Sequence, residues 1–130
     1  MVEAGIRHRI LVVDDNALNR MLLRDFLSYK GYEVLEATNG EEGVQIAQEQ
    51  NPSIVLMDIQ MPVMDGFEAT RILRHGLTAS DVVIIAVTAM EATREEFISA
   101  GFDDYIAKPI SIKQLSETVN SFIEQECIAA

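Results

Sequence analysis

Two adjacent aspartates, Asp14-Asp15, a single Asp58, a threonine, Thr88, and a lysine, Lys108, each stand at the end of a different short apolar run in this chain. Brought to one place, they would make a pocket with a distinct chemistry. Carboxylates packed together repel: two unit charges about 4 Å apart cost roughly 4 kcal/mol at an effective dielectric near 20. Such a cluster needs a cation or raised pKa values. All-oxygen ligation with several retained waters suits Mg²⁺, which takes one or two carboxylates together with phosphate oxygens. The Thr88 hydroxyl can donate to a phosphoryl oxygen, and the Lys108 ammonium can neutralise charge developing there. The set is suited to metal-assisted phosphoryl chemistry. Taken singly, each residue has a plainer role: an acidic pair after a strand is ordinarily a turn or helix cap, and a lysine before proline is usually solvated. It is their coincidence, each at the end of its own strand, that carries the reading.

The elements that must position them are legible as β-branched runs over Ile10–Val13, Glu33–Ala37, Ile54–Met57, Val82–Val87 and Tyr105–Ala107. Three of these runs are continuously apolar, as strands covered on both faces are. Between them lie helical patterns. In Ala17–Lys30, Leu18, Met21, Leu22 and Phe26 recur at helical spacing and Gly31 supplies the stop. In Ile112–Glu126, Ile112, Leu115, Val119, Phe122 and Ile123 form a stripe, with Ser111 as N-cap. Asn39–Gln50, Gly66–Arg74 and Ala92–Ala100 fill the remaining slots, the first weakened by Gly43. Five β-α repeats in one sheet require right-handed crossovers and a doubly wound α/β fold. Ligands in such folds bind outside the carboxyl ends of the strands, where the polar residues stand.

The chain has 130 residues, 48% of them hydrophobic, which is enough for one domain with a buried core. Its formal net charge of −11 disfavours attraction to nucleic acid or an anionic membrane. The one cysteine, Cys127, excludes an intrachain disulfide and fits a reducing, cytoplasmic setting. The stretch Met1–Arg9 leads into no signal-peptide core, and no run approaches the roughly 18 apolar residues of a membrane span.

Four segments resemble the receiver domain of bacterial two-component response regulators. They are Ile10-Leu-Val-Val-Asp14-Asp15-Asn16, Met57-Asp58-Ile59-Gln60-Met61-Pro62-Val63-Met64-Asp65-Gly66, Val87-Thr88-Ala89 and Asp104-Tyr105-Ile106-Ala107-Lys108-Pro109. The likeness spans residues 9–123. It implies one receiver domain over residues 1–130 with no output domain, and a flavodoxin-like (βα)5 fold with strand order 2-1-3-4-5. It further implies that Asp58 accepts a phosphoryl group from a histidine kinase or histidine phosphotransfer protein. Asp15 and Asp58 would then bind Mg²⁺, or Mn²⁺, by side chain, Gln60 by its backbone carbonyl, and Asp14 largely through water. Thr88 and Lys108 would contact phosphoryl oxygens, Tyr105 would be the aromatic switch residue, Lys108-Pro109 would be cis, and Gly66 would give backbone freedom to the turn before the third helix. Gln60 and Met90 would tune dephosphorylation. Output would pass to a target protein through the face of the fourth helix, fifth strand and fifth helix, from a monomer or weak dimer.

Two competitors share parts of this pattern. An aspartyl-phosphate phosphohydrolase would need a second acid beside the nucleophile, and Ile59-Gln60 offers none; the chain is expected to mediate only its own phosphorylation and dephosphorylation. A receiver-like domain that had lost phosphorylation would lack the acceptor or the lysine, and both are present. His8 and His75 read as surface residues. Met21 and Met57 read as core, Met61 and Met64 as loop packing.

Overall fold

The computed structural model describes residues 8–75 and 82–129, with side chains of the last helix described to Ile123. The Met1–Arg9 stretch, apart from His8 and Arg9, and the side chain of Cys127 lie outside the described residues. The order is β1 (Arg9–Val13), α1 (Ala17–Tyr29), β2 (Glu33–Ala37), α2 (Gly40–Gln50), β3 (Ile54–Asp58), α3 (Gly66–His75), β4 (Val83–Thr88), α4 (Arg94–Ser99), β5 (Asp104–Ala107) and α5 (Ile112–Ala129). All strands pair in parallel, in the order β2-β1-β3-β4-β5. The fold and strand order match the sequence reading, with boundaries shifted by at most three residues.

Alternation along the strands explains their unbroken apolar runs. Leu11, Val13, Val55, Met57, Ile84 and Ala86 join one core with Val44, Ala47, Ala69, Leu73, Phe97 and Phe102 from the side of α2, α3 and α4. Ile10, Val12, Ile54, Leu56, Ile85, Val87 and Ile106 join the other with Leu23, Leu27, Leu115 and Val119 from α1 and α5. Because successive strand side chains point to opposite faces, the inner strands β1, β3 and β4, buried on both faces, leave polar residues only at their ends.

Helix starts are set by local side chains. Asn16, Asn39 and Thr93 each accept a hydrogen bond from the backbone N–H three residues on, and Glu96 completes a capping box with Thr93. Thr93 therefore begins α4 two residues later than the sequence suggested. Ser111 Oγ accepts from Gln114 N at the start of α5, as expected of a cap.

Three expectations fail. Leu18, Met21 and Leu22 do not face the core: they are 70%, 43% and 51% exposed, while Leu23 and Leu27 are buried. At 100° per residue the two sets lie on opposite sides of α1, so the helix carries two apolar stripes and the sheet takes the one built on Leu23 and Leu27. Met21 is accordingly a surface residue and not a core one. Ile112, at the first position of α5, is likewise 39% exposed and not buried with Leu115 and Val119. Finally, Gly66 is required for space and not for backbone freedom: a Cβ there would run into the Asp58 carbonyl oxygen and Ile59. Gly66 N donates to Ile59 O at 2.9 Å, drawing α3 tight against the end of β3.

Candidate phosphoryl and metal site

Strand register does most of the assembly. Val13 pairs with Met57, so Asp14 and Asp58 stand side by side at the ends of adjacent strands. Asp58 pairs with Val87, putting Thr88 one step beyond, and Thr88 pairs with Ala107. Lys108 N then donates to Thr88 O at 2.9 Å, which brings the lysine back over the same edge. The Lys108-Pro109 bond is cis.

Side chains converge accordingly. Asp14, Asp15 and Asp58 can each offer a carboxylate oxygen within 4.8 Å of the others. Lys108 Nζ lies 3.4 Å from both Asp14 Oδ2 and Asp58 Oδ2. Asp14 is 2% exposed, Asp58 5% and Thr88 2%, whereas Asp15 is exposed. Thr88 Oγ1 accepts from Met90 N at 3.0 Å, bending the chain after β4. Tyr105 is half-buried on β5 and Gln60 exposed in the loop after β3. Asp14, Asp15, Asp58, Thr88 and Lys108 are thus brought to one strand edge, with Tyr105 three residues before Lys108 within β5.

The electrostatics are unbalanced. One ammonium faces three carboxylates, two of them buried. Burial, then the neighbouring Asp14 charge, pushes the Asp58 carboxyl above its usual value of 3.8, with Lys108 opposing. A carboxyl whose pKa is raised on folding holds its proton more tightly in the native state, so stability falls as pH rises from 3.8 through the raised value, and the full cost is present above it. Asp58→Asn is therefore expected to melt above the wild type at pH 7 in EDTA, and the gap to close toward the ordinary carboxylate pKa; thermal denaturation across pH checks this, and a pH-independent gap would contradict it. The same surplus of oxygen donors and negative charge fits a hard divalent cation.

Asn19 and Arg20, not singled out from the sequence, hold the cluster in place together with the Asn16 backbone. Asn16 N donates to Asp14 Oδ1 at 2.8 Å and the Asn19 amide to Oδ2 at 3.4 Å, so both oxygens of Asp14 are engaged. Arg20 donates to the Asp14 carbonyl at 2.8 Å and reaches Glu36 on β2 at 3.5 Å, bolting α1 to the sheet edge. Their signal was positional: residues one turn after an acidic pair return over it.

Residues 10–120 match the family model described as the response regulator receiver domain. The polar-differentiation response regulator DivK of Brucella anthropi is 38% identical over 116 residues, covering 88% of this chain and 94% of that protein. The receiver domain of a sensor histidine kinase from Pseudomonas aeruginosa PAO1, solved with a magnesium ion in its active-site cleft, is 35% identical. It superposes with a TM-score of 0.83 over 92% of this chain and 99% of that one. The Vibrio cholerae chemotaxis protein CheY4 is 27% identical, with a TM-score of 0.84 over 90% of this chain and 99% of its own.

Proposed function

Since the chain belongs to the response regulator receiver domain family, we propose that Asp58 is the carboxylate that accepts the phosphoryl group in a protein-to-protein signalling relay. The observation that carries this is the position of Lys108, whose ammonium lies 3.4 Å from both Asp58 and Asp14 within a three-carboxylate cluster. A structural ion pair needs one acid; a pocket that must receive further negative charge needs a cation-binding surplus beside a fixed ammonium.

Asp58 Oδ forms the new P–O bond as the bond from phosphorus to the donor's imidazole nitrogen breaks; that nitrogen keeps the bonding electron pair while the other ring nitrogen carries the proton, so a neutral imidazole leaves. Lys108 neutralises the phosphoryl oxygens, and the Thr88 hydroxyl donates to one of them. Asp15, Asp58 and the Gln60 carbonyl would hold Mg²⁺, with Asp14 contributing through water, and Mn²⁺ would suit the same oxygen donors. When bound, the metal supplies charge that offsets repulsion between the carboxylate and the incoming group. The product carries roughly −1.5 to −2 charge. Thr88 follows it, and Tyr105 reports the change to the face formed by α4, β5 and α5, where a target protein binds. The relay is cytoplasmic, and the chain turns over no separate substrate.

The phosphodonor meets the apolar stripe Leu18, Met21 and Leu22, which starts three residues after Asp15 and is exposed on the side of α1 opposite the buried Leu23 and Leu27. Leu22→Asp should slow transfer from a phosphorylated donor protein at least tenfold and leave phosphorylation by acetyl phosphate unchanged, because the small donor needs no docking surface. Equal loss with both donors would place the stripe in folding and not in docking.

Incubation with acetyl phosphate and Mg²⁺, followed by assay of acid-labile phosphate, tests the reading as a whole. It predicts incorporation approaching one phosphate per chain and loss of that incorporation in EDTA. No incorporation, or incorporation indifferent to EDTA, would overturn it.

A further inference from the structure

Four aromatic side chains form one cluster on the α3–α4 side of the sheet. Phe67, Phe97 and Tyr105 are stacked in sequence: Phe67 and Phe97 lie 6.2 Å apart with ring planes 8° apart, Phe97 and Tyr105 lie 5.0 Å apart at 21°. Phe102 meets both phenylalanines edge-on, at 5.9 Å in each case. Phe97 is fully buried and is the only buried residue of the six-residue helix α4. The ring that seats α4 is therefore the ring on which Tyr105 rests. The ladder's far end also has a definite place. Phe67 follows Gly66, whose N–H is bonded to Ile59 O next to Asp58.

Resting on the phosphoacceptor reading above, we propose that Phe97 is the positioning residue of the switch: its stack with Tyr105 stabilises the unphosphorylated arrangement and ties the seat of α4 to the orientation of Tyr105. In that arrangement Thr88 Oγ1 is engaged by Met90 N, within its own loop. Recruitment of Thr88 toward Asp58 shifts the space beside β5, and Tyr105 can follow only by leaving the Phe97 ring. Helix α4, with no other buried anchor, then loses part of its seat. Aromatic pairs of this kind contribute beyond their buried area by an amount equivalent to about two- to tenfold in an equilibrium constant. Removing the Phe97 ring should bias the population toward the activated arrangement by that factor, since a ligand's apparent affinity rises with the fraction already competent to bind it.

The test uses the full chain carrying 3-fluorotyrosine at Tyr29, Tyr32 and Tyr105, each ¹⁹F signal assigned by Tyr→Phe substitution, and titrates beryllofluoride in Mg²⁺. Phe97→Leu keeps apolar volume and removes the ring. Its unliganded Tyr105 signal is expected to lie nearer the saturated wild-type position, Tyr29 and Tyr32 unmoved, and its midpoint to fall about two- to tenfold. Phe67→Leu, one ring further away, should do the same to a smaller degree. A folded Phe97→Leu chain with the wild-type Tyr105 signal and midpoint overturns the inference. If Phe97→Leu does not fold, Phe67→Leu decides, and an unchanged midpoint there overturns it too. A wild type that ignores beryllofluoride overturns the phosphoacceptor reading and this inference together; a responsive wild type with indifferent variants overturns the inference alone.

Discussion

The Asp58→Asn chain takes up no acid-labile phosphate from acetyl phosphate under conditions in which the wild type approaches one per molecule. The amide keeps the volume and shape of the carboxylate at a site that is 5% exposed, so the pocket stays assembled. It has no anionic oxygen to attack phosphorus, and it removes one of the three carboxylates that could hold the cation. Loss of both nucleophile and ligand makes this the largest effect expected anywhere in the chain. A circular dichroism spectrum and melting curve accompany the assay. Asp58→Asn should remain folded, with the gain in stability at neutral pH argued above from the raised Asp58 pKa. Retained incorporation would mean that another side chain is the acceptor.

Lys108→Ala should slow phosphorylation by acetyl phosphate about 10²- to 10³-fold, the range typical of losing one preorganised group that stabilises developing charge. Here the group is a full ammonium 3.4 Å from the Asp58 carboxylate, 21% exposed, and held by the backbone bond from Lys108 N to Thr88 O. Its removal also leaves Asp14 and Asp58 without their shared counter-charge. The variant is therefore expected to lean harder on the cation, with the Mg²⁺ concentration giving half its maximal rate still measurable and the maximal rate itself depressed. Lys108→Arg should recover only part of the rate, because a planar fork does not present a point charge equidistant from two carboxylates. Pre-steady-state measurement of incorporation against Mg²⁺ concentration checks both. A Lys108→Ala rate within threefold of wild type would reduce the lysine to a structural role.

Much of this molecule could be read from its residues, and the misreadings share a cause. Strands buried on both faces advertise themselves through unbroken apolar runs, and the polar residues at their ends could be assigned to one edge because a parallel sheet points all its carboxyl ends the same way. Helix α1 was harder. Leu18, Met21 and Leu22 and the pair Leu23 and Leu27 are both helically spaced, and only contact with β1, β3 and α5 decides which set is buried. That contact is non-local and leaves no mark within the helix. Gly66 shows a similar ambiguity: a glycine before a helix suits either an unusual backbone or a close approach, and the Asp58 carbonyl lying where a Cβ would go settles which. Asn19 and Arg20 were passed over because polar residues on an exposed helical turn are common, although their spacing from Asp14 and Asp15 placed them over the pocket. Phe97 was invisible as a hub: Phe102 and Tyr105 follow it closely in sequence but Phe67 comes from the distant α3, and nothing in their spacing shows that the four rings meet.

Acid-labile phosphate can sit on histidine as well as on aspartate, so its quantity alone does not place the chemistry. Reducing the phosphorylated chain with borohydride converts an acyl phosphate to the corresponding alcohol, which tandem mass spectrometry then locates. The structure predicts that modification at position 58 and nowhere else, dependent on Mg²⁺ during phosphorylation. Finding it at Asp14 or Asp15, or finding no reduced residue while the phosphate resides on His8 or His75, would contradict the assignment of Asp58 as the acceptor.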